Sequence, residues 1–152
     1  ILMGLTVALW CGGASAVTNY VSLLGHHAPP FTNWYDAATN IQAAVDAALA
    51  SGKPVIVDFT AAWCIACHEL ERKTFADARV RSAMRGVVAF QVDLTRSESP
   101  DSDTRVKQFK VLGMPTVVFL KPGVGVVASA GFSGFVSAEE FLRRLRLVTG
   151  PA

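Results

Sequence analysis

Cys64 and Cys67 stand three residues apart in Trp63-Cys64-Ile65-Ala66-Cys67-His68. Residues at that spacing share one face of a helix, so two thiols there can join as a disulfide and part again without moving the backbone. The chemistry indicated is reversible dithiol–disulfide exchange. On the first turn of a helix, Cys64 meets unsatisfied backbone N–H groups and the positive end of the dipole, which favour a thiolate and make it the attacking sulfur. Cys67, one turn further in and less exposed, is then the sulfur that resolves a mixed disulfide. Asp58 is the one charged residue in the apolar run Val55 to Phe59. A carboxylate there has to be paired, hydrated or protonated, and a raised pKa would let it exchange a proton with Cys67. An Asp at a strand end reaching solvent is the plainer alternative. Glu71, four residues past Cys67, shares its helix face, with a solvated side chain as its alternative.

Around the sulfurs, Trp63, Ile65, Ala66 and Met114 would form an apolar rim. Such a rim suits docking of another protein's disulfide, and backbone near Met114 could pair with an extended partner. Each of the four taken alone is also an ordinary core or surface residue.

The elements that must position these groups follow from pattern. Val55 to Phe59 reads as a strand buried on both faces, running into a helix that opens with the cysteine pair and continues to about Lys73. Before it, Phe31 to Tyr35 is a short strand, and Asp36 to Ala50 is a helix with Ile41, Ala44, Val45, Ala48 and Leu49 on one face. After it, Asp77 caps a helical piece reaching Met84, and Val87 to Leu94 is a strand. Thr95 to Pro100 is a polar loop, and Asp101 to Val111 is a helix with Val106 and Phe109 inward. Thr116 to Leu120 and Val124 to Ala130 are neighbouring strands joined at Lys121-Pro122-Gly123. Ser137-Ala138-Glu139-Glu140 is a capping box for a last helix that buries Phe141, Leu142, Leu145 and Val148. Arg143, Arg144 and Arg146 form its solvated face. The order predicts an α/β three-layer sandwich with helices on both faces of a mixed sheet.

Val-Asp-Phe-x-Ala-x-Trp-Cys-x-x-Cys, with Gly113-Met114-Pro115-Thr116 before a later strand, resembles the thioredoxin superfamily. The longer pattern Trp63 to Glu71 with Thr74-Phe75, Val92-Asp93-Leu94-Thr95 and Gly131-Phe132 is most similar to the C-terminal periplasmic domains of the DsbD family of thiol:disulfide interchange proteins. The resemblance spans Phe31 to Val148. It implies a thioredoxin-like α/β/α sandwich whose Pro115 is the cis proline facing the cysteines, with Asp58 and Glu71 as the acidic groups holding their pKa values up. A cis proline there would bring backbone close while offering no N–H. It further implies a protein-disulfide reductase at the periplasmic face of the bacterial inner membrane. Electrons would come from a preceding membrane domain and pass to an N-terminal periplasmic domain, which serves other periplasmic thiol–disulfide proteins, including those of cytochrome c biogenesis. A free-standing, membrane-anchored thioredoxin-like reductase is the alternative. No cofactor beyond the redox-active Cys64–Cys67 disulfide and no metal are implied. Ala62 and Thr60 depart from the family's frequent Asp and aromatic residue.

His68 replaces the family's usual Lys and completes Cys-x-x-Cys-His, the attachment pattern of c-type haem. A haem electron carrier is therefore a rival reading, although it requires neither the strand feeding the motif nor the Gly-Met-Pro-Thr loop. If His68 titrates in its ordinary range, the redox potential bends with pH there. A zinc site lacks a second cysteine pair, and His26-His27 lie in linker without partners at ligand spacing.

The chain has 152 residues, suited to one domain plus an appendage, and a formal charge of +2, too near balance for a nucleic-acid partner. No Asp, Glu, Lys or Arg precedes Asp36. Residues 1–24 are expected to be the tail of a transmembrane helix that anchors the chain, 25–30 a linker, and 31–150 the folded domain. Ala14-Ser15-Ala16 offers a signal-cleavage alternative, without the basic stretch that should precede it. The chain opens on Ile, as a piece of a longer protein would. Cys11, inside the apolar segment, reads as a small buried hydrophobe.

Overall fold

The structure, a computed structural model, describes residues 41–95 and 106–150. The apolar segment, the linker, the strand expected at 31–35, the first five residues of the helix expected at 36–50, most of the 95–100 loop, the first half of the 101–111 helix and the side chain of Ile41 lie outside the described residues. No helix among the described residues is long and apolar enough to cross a membrane.

The centre is β1 (Val55–Thr60), all six of whose residues are buried. It pairs in parallel with β2 (Val88–Asp93) and antiparallel with β3 (Thr116–Lys121). The short strands β4 (Gly125–Val126) and β5 (Phe132–Ser133) share the other edge of β3, which makes a mixed sheet in the order β2-β1-β3-β4. A central strand covered on both faces needs no alternation of polarity, which is why Val-Ile-Val-Asp-Phe-Thr is almost wholly apolar.

Strand parity divides the core. Val55, Val57 and Phe59 point to the face covered by Ala44, Val45 and Ala48 of α1 (Ile41–Ala50) and by Phe109 and Val111. Ile56 points the other way, into Leu70, Phe75, Val80, Phe141 and Leu145. That second face is covered by α2 (Ile65–Leu70), α3 (Ala78–Ala83) and α4 (Ala138–Thr149). Phe75 and Phe119 both pack on Phe141, with ring centres 5.2 and 5.7 Å away; such pairs add about 0.5–1.5 kcal/mol each beyond burial. Asp58 and Thr60 share the parity of Ile56, so the C-terminal end of β1 turns its polar side chains toward the α2 face.

The helix caps stand where the sequence puts them. Asp77 accepts from the Arg79 N–H at 2.8 Å to start α3, and Ser137 accepts from the Glu140 N–H at 3.3 Å to start α4. Three boundaries and one side chain differ from expectation. The helix carrying the cysteines does not end near Lys73 but widens into a π turn over Glu71–Phe75, in which the Ala76 N–H donates to the carbonyl five residues back, on Glu71. That turn brings Thr74 and Phe75 inward, and the Thr74 hydroxyl donates to the Val136 carbonyl at 2.5 Å. The strand expected over Val124 to Ala130 is paired only at Gly125–Val126. Gly125 takes a positive φ of 81°, and the Ala130 N–H closes a turn onto Val127, so the chain leaves the edge and returns as β5. Helix persists at 106–108 but unwinds before Val111, where Lys110 has φ 53°. Finally, Arg144 is not part of a solvated face: its guanidinium donates to the Ala130 and Gly131 carbonyls at 3.3 and 2.7 Å and pairs with Glu140.

Candidate active site

β1 ends at Thr60, and four residues later the chain enters α2 with Cys64 as its N-cap. The cap residue stays extended while its side chain accepts the N–H of the third residue on, the usual way to satisfy an exposed helix start. Here the acceptor is sulfur: Cys64 Sγ takes the Cys67 N–H at 3.1 Å. The same spacing brings the two Cα atoms to 5.3 Å, and the sulfurs are bonded to each other at 2.09 Å. Cys64 keeps 5 % of its surface exposed and Cys67 2 %, so Cys64 is the more accessible of the two.

Ala61, Ala66 and Met114 pack on the pair. Met114 comes from the far side of the sequence and is joined to Pro115 by a cis peptide. That loop is held from both sides: the Pro115 carbonyl accepts the Gly134 N–H at 2.8 Å, and the Thr116 hydroxyl, 2.6 Å from the Gly113 carbonyl, also meets the Ser133 hydroxyl at 2.8 Å. Trp63 and Ile65 do not join this cluster. They stand out into solvent at 64 % and 81 % exposure. Leu112, on the same loop two residues before Met114, is an aliphatic side chain 96 % exposed; it escapes notice in the sequence, where it is one aliphatic residue in a loop.

On the α2 face of β1, four residues beyond Cys67, two carboxyl groups meet. Asp58 is buried, with Oδ1 lacking any hydrogen-bond partner and Oδ2 3.4 Å from the Gln91 amide nitrogen. The same nitrogen donates to Glu71 Oε1 at 3.1 Å. Burial, with a smaller contribution from the charge of Glu71, pushes the Asp58 carboxyl up to about 7, against the pull of Gln91. Asp58 is thus no strand-end residue reaching solvent, and Glu71 is only half-buried rather than free in water. The π turn that begins at Glu71 lies where the two acids meet, as such turns often do at functional sites. Gln91 is a residue that sequence reading misses. It reaches the acids only because the parallel register sets it beside Asp58 across 33 residues of chain.

His68 bridges the outer end. Its Nε2 is 2.9 Å from the Ala62 carbonyl and its Nδ1 3.6 Å from Glu71 Oε2. The Ala62 N–H in turn donates to Thr95 Oγ1 at 2.7 Å, tying the loop before the cysteines to the end of β2. This engagement, with Cys67 deep under the rim and bonded to its neighbour, gives the haem reading no support. Among the described residues no cluster of His, Cys, Asp and Glu could hold a metal ion. His26, His27 and Cys11 lie outside them.

A family model described as thioredoxin-like matches residues 33–122. The chain is 41% identical over 116 residues to a thiol:disulfide interchange protein DsbD from Ralstonia nicotianae, covering 76% of this chain and 19% of that protein. It is 36% identical over 137 residues to DsbD from Klebsiella pneumoniae, covering 90% and 21% respectively. The chain therefore spans about a fifth of the length of these relatives. In structure it is similar to the oxidised C-terminal domain of Neisseria meningitidis DsbD, with TM-score 0.58 and 27% identity over 72% of this chain and 97% of that domain. It is likewise similar to a thioredoxin from Thermus thermophilus, with TM-score 0.59 and 29% identity over 73% and 85%.

Proposed function

The chain belongs to the thioredoxin-like family, and on that premise we propose that it is a thiol–disulfide oxidoreductase of DsbD type that reduces protein disulfides. The carrying observation is the Cys64–Cys67 disulfide at the mouth of α2, opposite the cis Met114–Pro115 peptide. In the reduced form the Cys64 thiolate attacks one sulfur of a partner disulfide, a mixed disulfide forms, and the partner's other sulfur leaves as thiolate. Cys67 gives its proton to the Asp58 carboxylate and attacks the Cys64 sulfur. The second partner sulfur leaves, and two electrons have moved from this chain to the partner. A buried carboxyl titrating near 7 suits that proton transfer, because it both takes and returns a proton at working pH. Glu71 adds negative charge that keeps the Asp58 proton bound and disfavours premature thiolate at Cys67.

The partner docks across Trp63, Ile65, Ala66 and Met114, with Leu112 added to the rim. Pro115 keeps the loop close, and the backbone at Met114 pairs with the partner's extended chain. By likeness to the relatives, electrons arrive from a membrane domain and leave to an N-terminal periplasmic domain and other periplasmic thiol–disulfide proteins. The chain then works at the periplasmic face of the inner membrane, tethered through residues 1–24 and the 25–30 linker, with the thioredoxin-like domain at 31–150. No cofactor is needed, because the cysteine pair itself carries the electrons.

Turnover of a disulfide-bonded protein substrate with a thiol reductant tests this reading. Cys64→Ser should reduce the rate to that of the uncatalysed exchange. Full activity in that variant would remove Cys64 from the mechanism, and a wild-type chain with no turnover would leave the fold as a non-catalytic adaptor.

A further inference from the structure

The carboxyl groups of Asp58 and Glu71 share a single amide nitrogen, that of Gln91, at 3.4 and 3.1 Å. An amide nitrogen carries two hydrogens, enough to give one to each carboxylate. Asp58 has nothing else to lean on, since its other oxygen is without a partner in a buried setting. β3 places Val117 across from Asp58 and β2 places Gln91 there, so neither neighbouring strand offers it an ionised partner. Of the charged or ionisable side chains on the helix and π turn packed over this face, Glu71 shares the Gln91 amide, His68 bridges Glu71 to the Ala62 carbonyl, Arg72 donates to the His68 carbonyl, and Glu69 and Lys73 pair with each other. Among the described residues no Lys or Arg side chain hydrogen-bonds or ion-pairs with the Asp58 carboxyl.

We propose that Gln91 is a positioning residue of the exchange reaction, a two-hydrogen bridge that holds the Asp58 and Glu71 carboxyls together and sets the pH at which Asp58 accepts the Cys67 proton. The bond from an amide to a charged carboxylate is roughly twice as strong as to a neutral one, so the bridge favours ionised Asp58 against burial and against Glu71. Without it the carboxyl stays protonated to higher pH and is a poorer proton acceptor in neutral solution. The inference rests on the exchange reaction proposed above and extends it to a residue with no titratable group.

Two measurements on the whole chain test it. The first follows the Asp58 carboxyl carbon by NMR through a pH titration of the disulfide form, which requires no turnover. Gln91→Met, near in length but without donors, should move the Asp58 midpoint upward by about one pH unit, a tenfold change in proton affinity. Gln91→Glu, which adds a third carboxyl, should move it at least as far and guards against a Met variant that folds poorly. The second is the pH–rate profile of disulfide reduction. Its alkaline-going rise should shift upward in Gln91→Met by the same amount, and the same substitution should shift nothing in an Asp58→Asn background. An Asp58 midpoint unmoved in both variants overturns the role of Gln91 while leaving wild-type exchange intact. A wild-type chain that reduces no disulfide would instead sink the exchange reading, with the NMR titration still deciding the bridge.

Discussion

The two faces of β1 are built from alternate residues of one six-residue strand, and they serve different ends. On the α1 face Val55, Val57 and Phe59 meet only apolar neighbours. On the α2 face Ile56 does the same, but the next residue of that parity is Asp58, buried and half-satisfied beside a second acid. The first face stabilises without chemistry. The second gives up stability at one end to keep a buried carboxyl on the face that carries the cysteine helix, an arrangement expected of a site that needs a carboxyl titrating near neutrality.

Truncation on the purely apolar face gives the largest expected effect. Phe59→Ala removes a fully buried ring that packs, tilted, 5.5 Å from the Phe109 ring, and should destabilise the domain by about 3–5 kcal/mol in denaturant melts. The redox potential of whatever remains folded should hardly move. A large change in potential would mean that the two faces are coupled rather than separate.

Asp58→Asn should act in the opposite sense. The folded carboxyl titrates near 7 against 3.8 for the free group, so between those values the native state holds a proton that the unfolded state has lost. Stability from this group is therefore fully present below about pH 4 and falls as pH rises toward 7. At pH 8 the Asn variant should be more stable than wild type by about 2–4 kcal/mol, and should lose that part of the pH dependence. It should also reduce disulfides more slowly at neutral pH. A less stable Asn variant at pH 8 would show that Asp58 is a structural acid.

The smallest effect lies at the sheet edge. Arg144→Ala frees the Ala130 and Gly131 carbonyls and should lower stability by about 1 kcal/mol, leaving exchange rates within a few-fold of wild type.

Much of this was legible in the sequence because it is local. A buried apolar strand, a three-residue cysteine spacing and the caps at Asp77 and Ser137 are each decided by neighbours in the chain. Asp58 stood out as a charge in an apolar run, and β-strand parity then placed it on the α2 face. Gln91 is likewise the one polar side chain between Val87 and Val92, but its role could not be read in that way, since it depends on a register between strands far apart in sequence. Arg144 looked like one of three solvent-facing arginines, yet the loop that needs it comes from a turn that Val124 to Ala130, apolar and small throughout, does not announce. The π turn at Glu71 is likewise invisible to helical periodicity, which carries no sign of an inserted residue.

The most direct test is covalent trapping. Cys67→Ala, reduced and mixed with a disulfide-bonded protein, should accumulate a mixed disulfide that peptide mass spectrometry assigns to Cys64 and that the further change Cys64→Ser abolishes. No adduct, or an adduct carried by Cys11 that survives loss of Cys64, would contradict the claim that Cys64 attacks and Cys67 resolves.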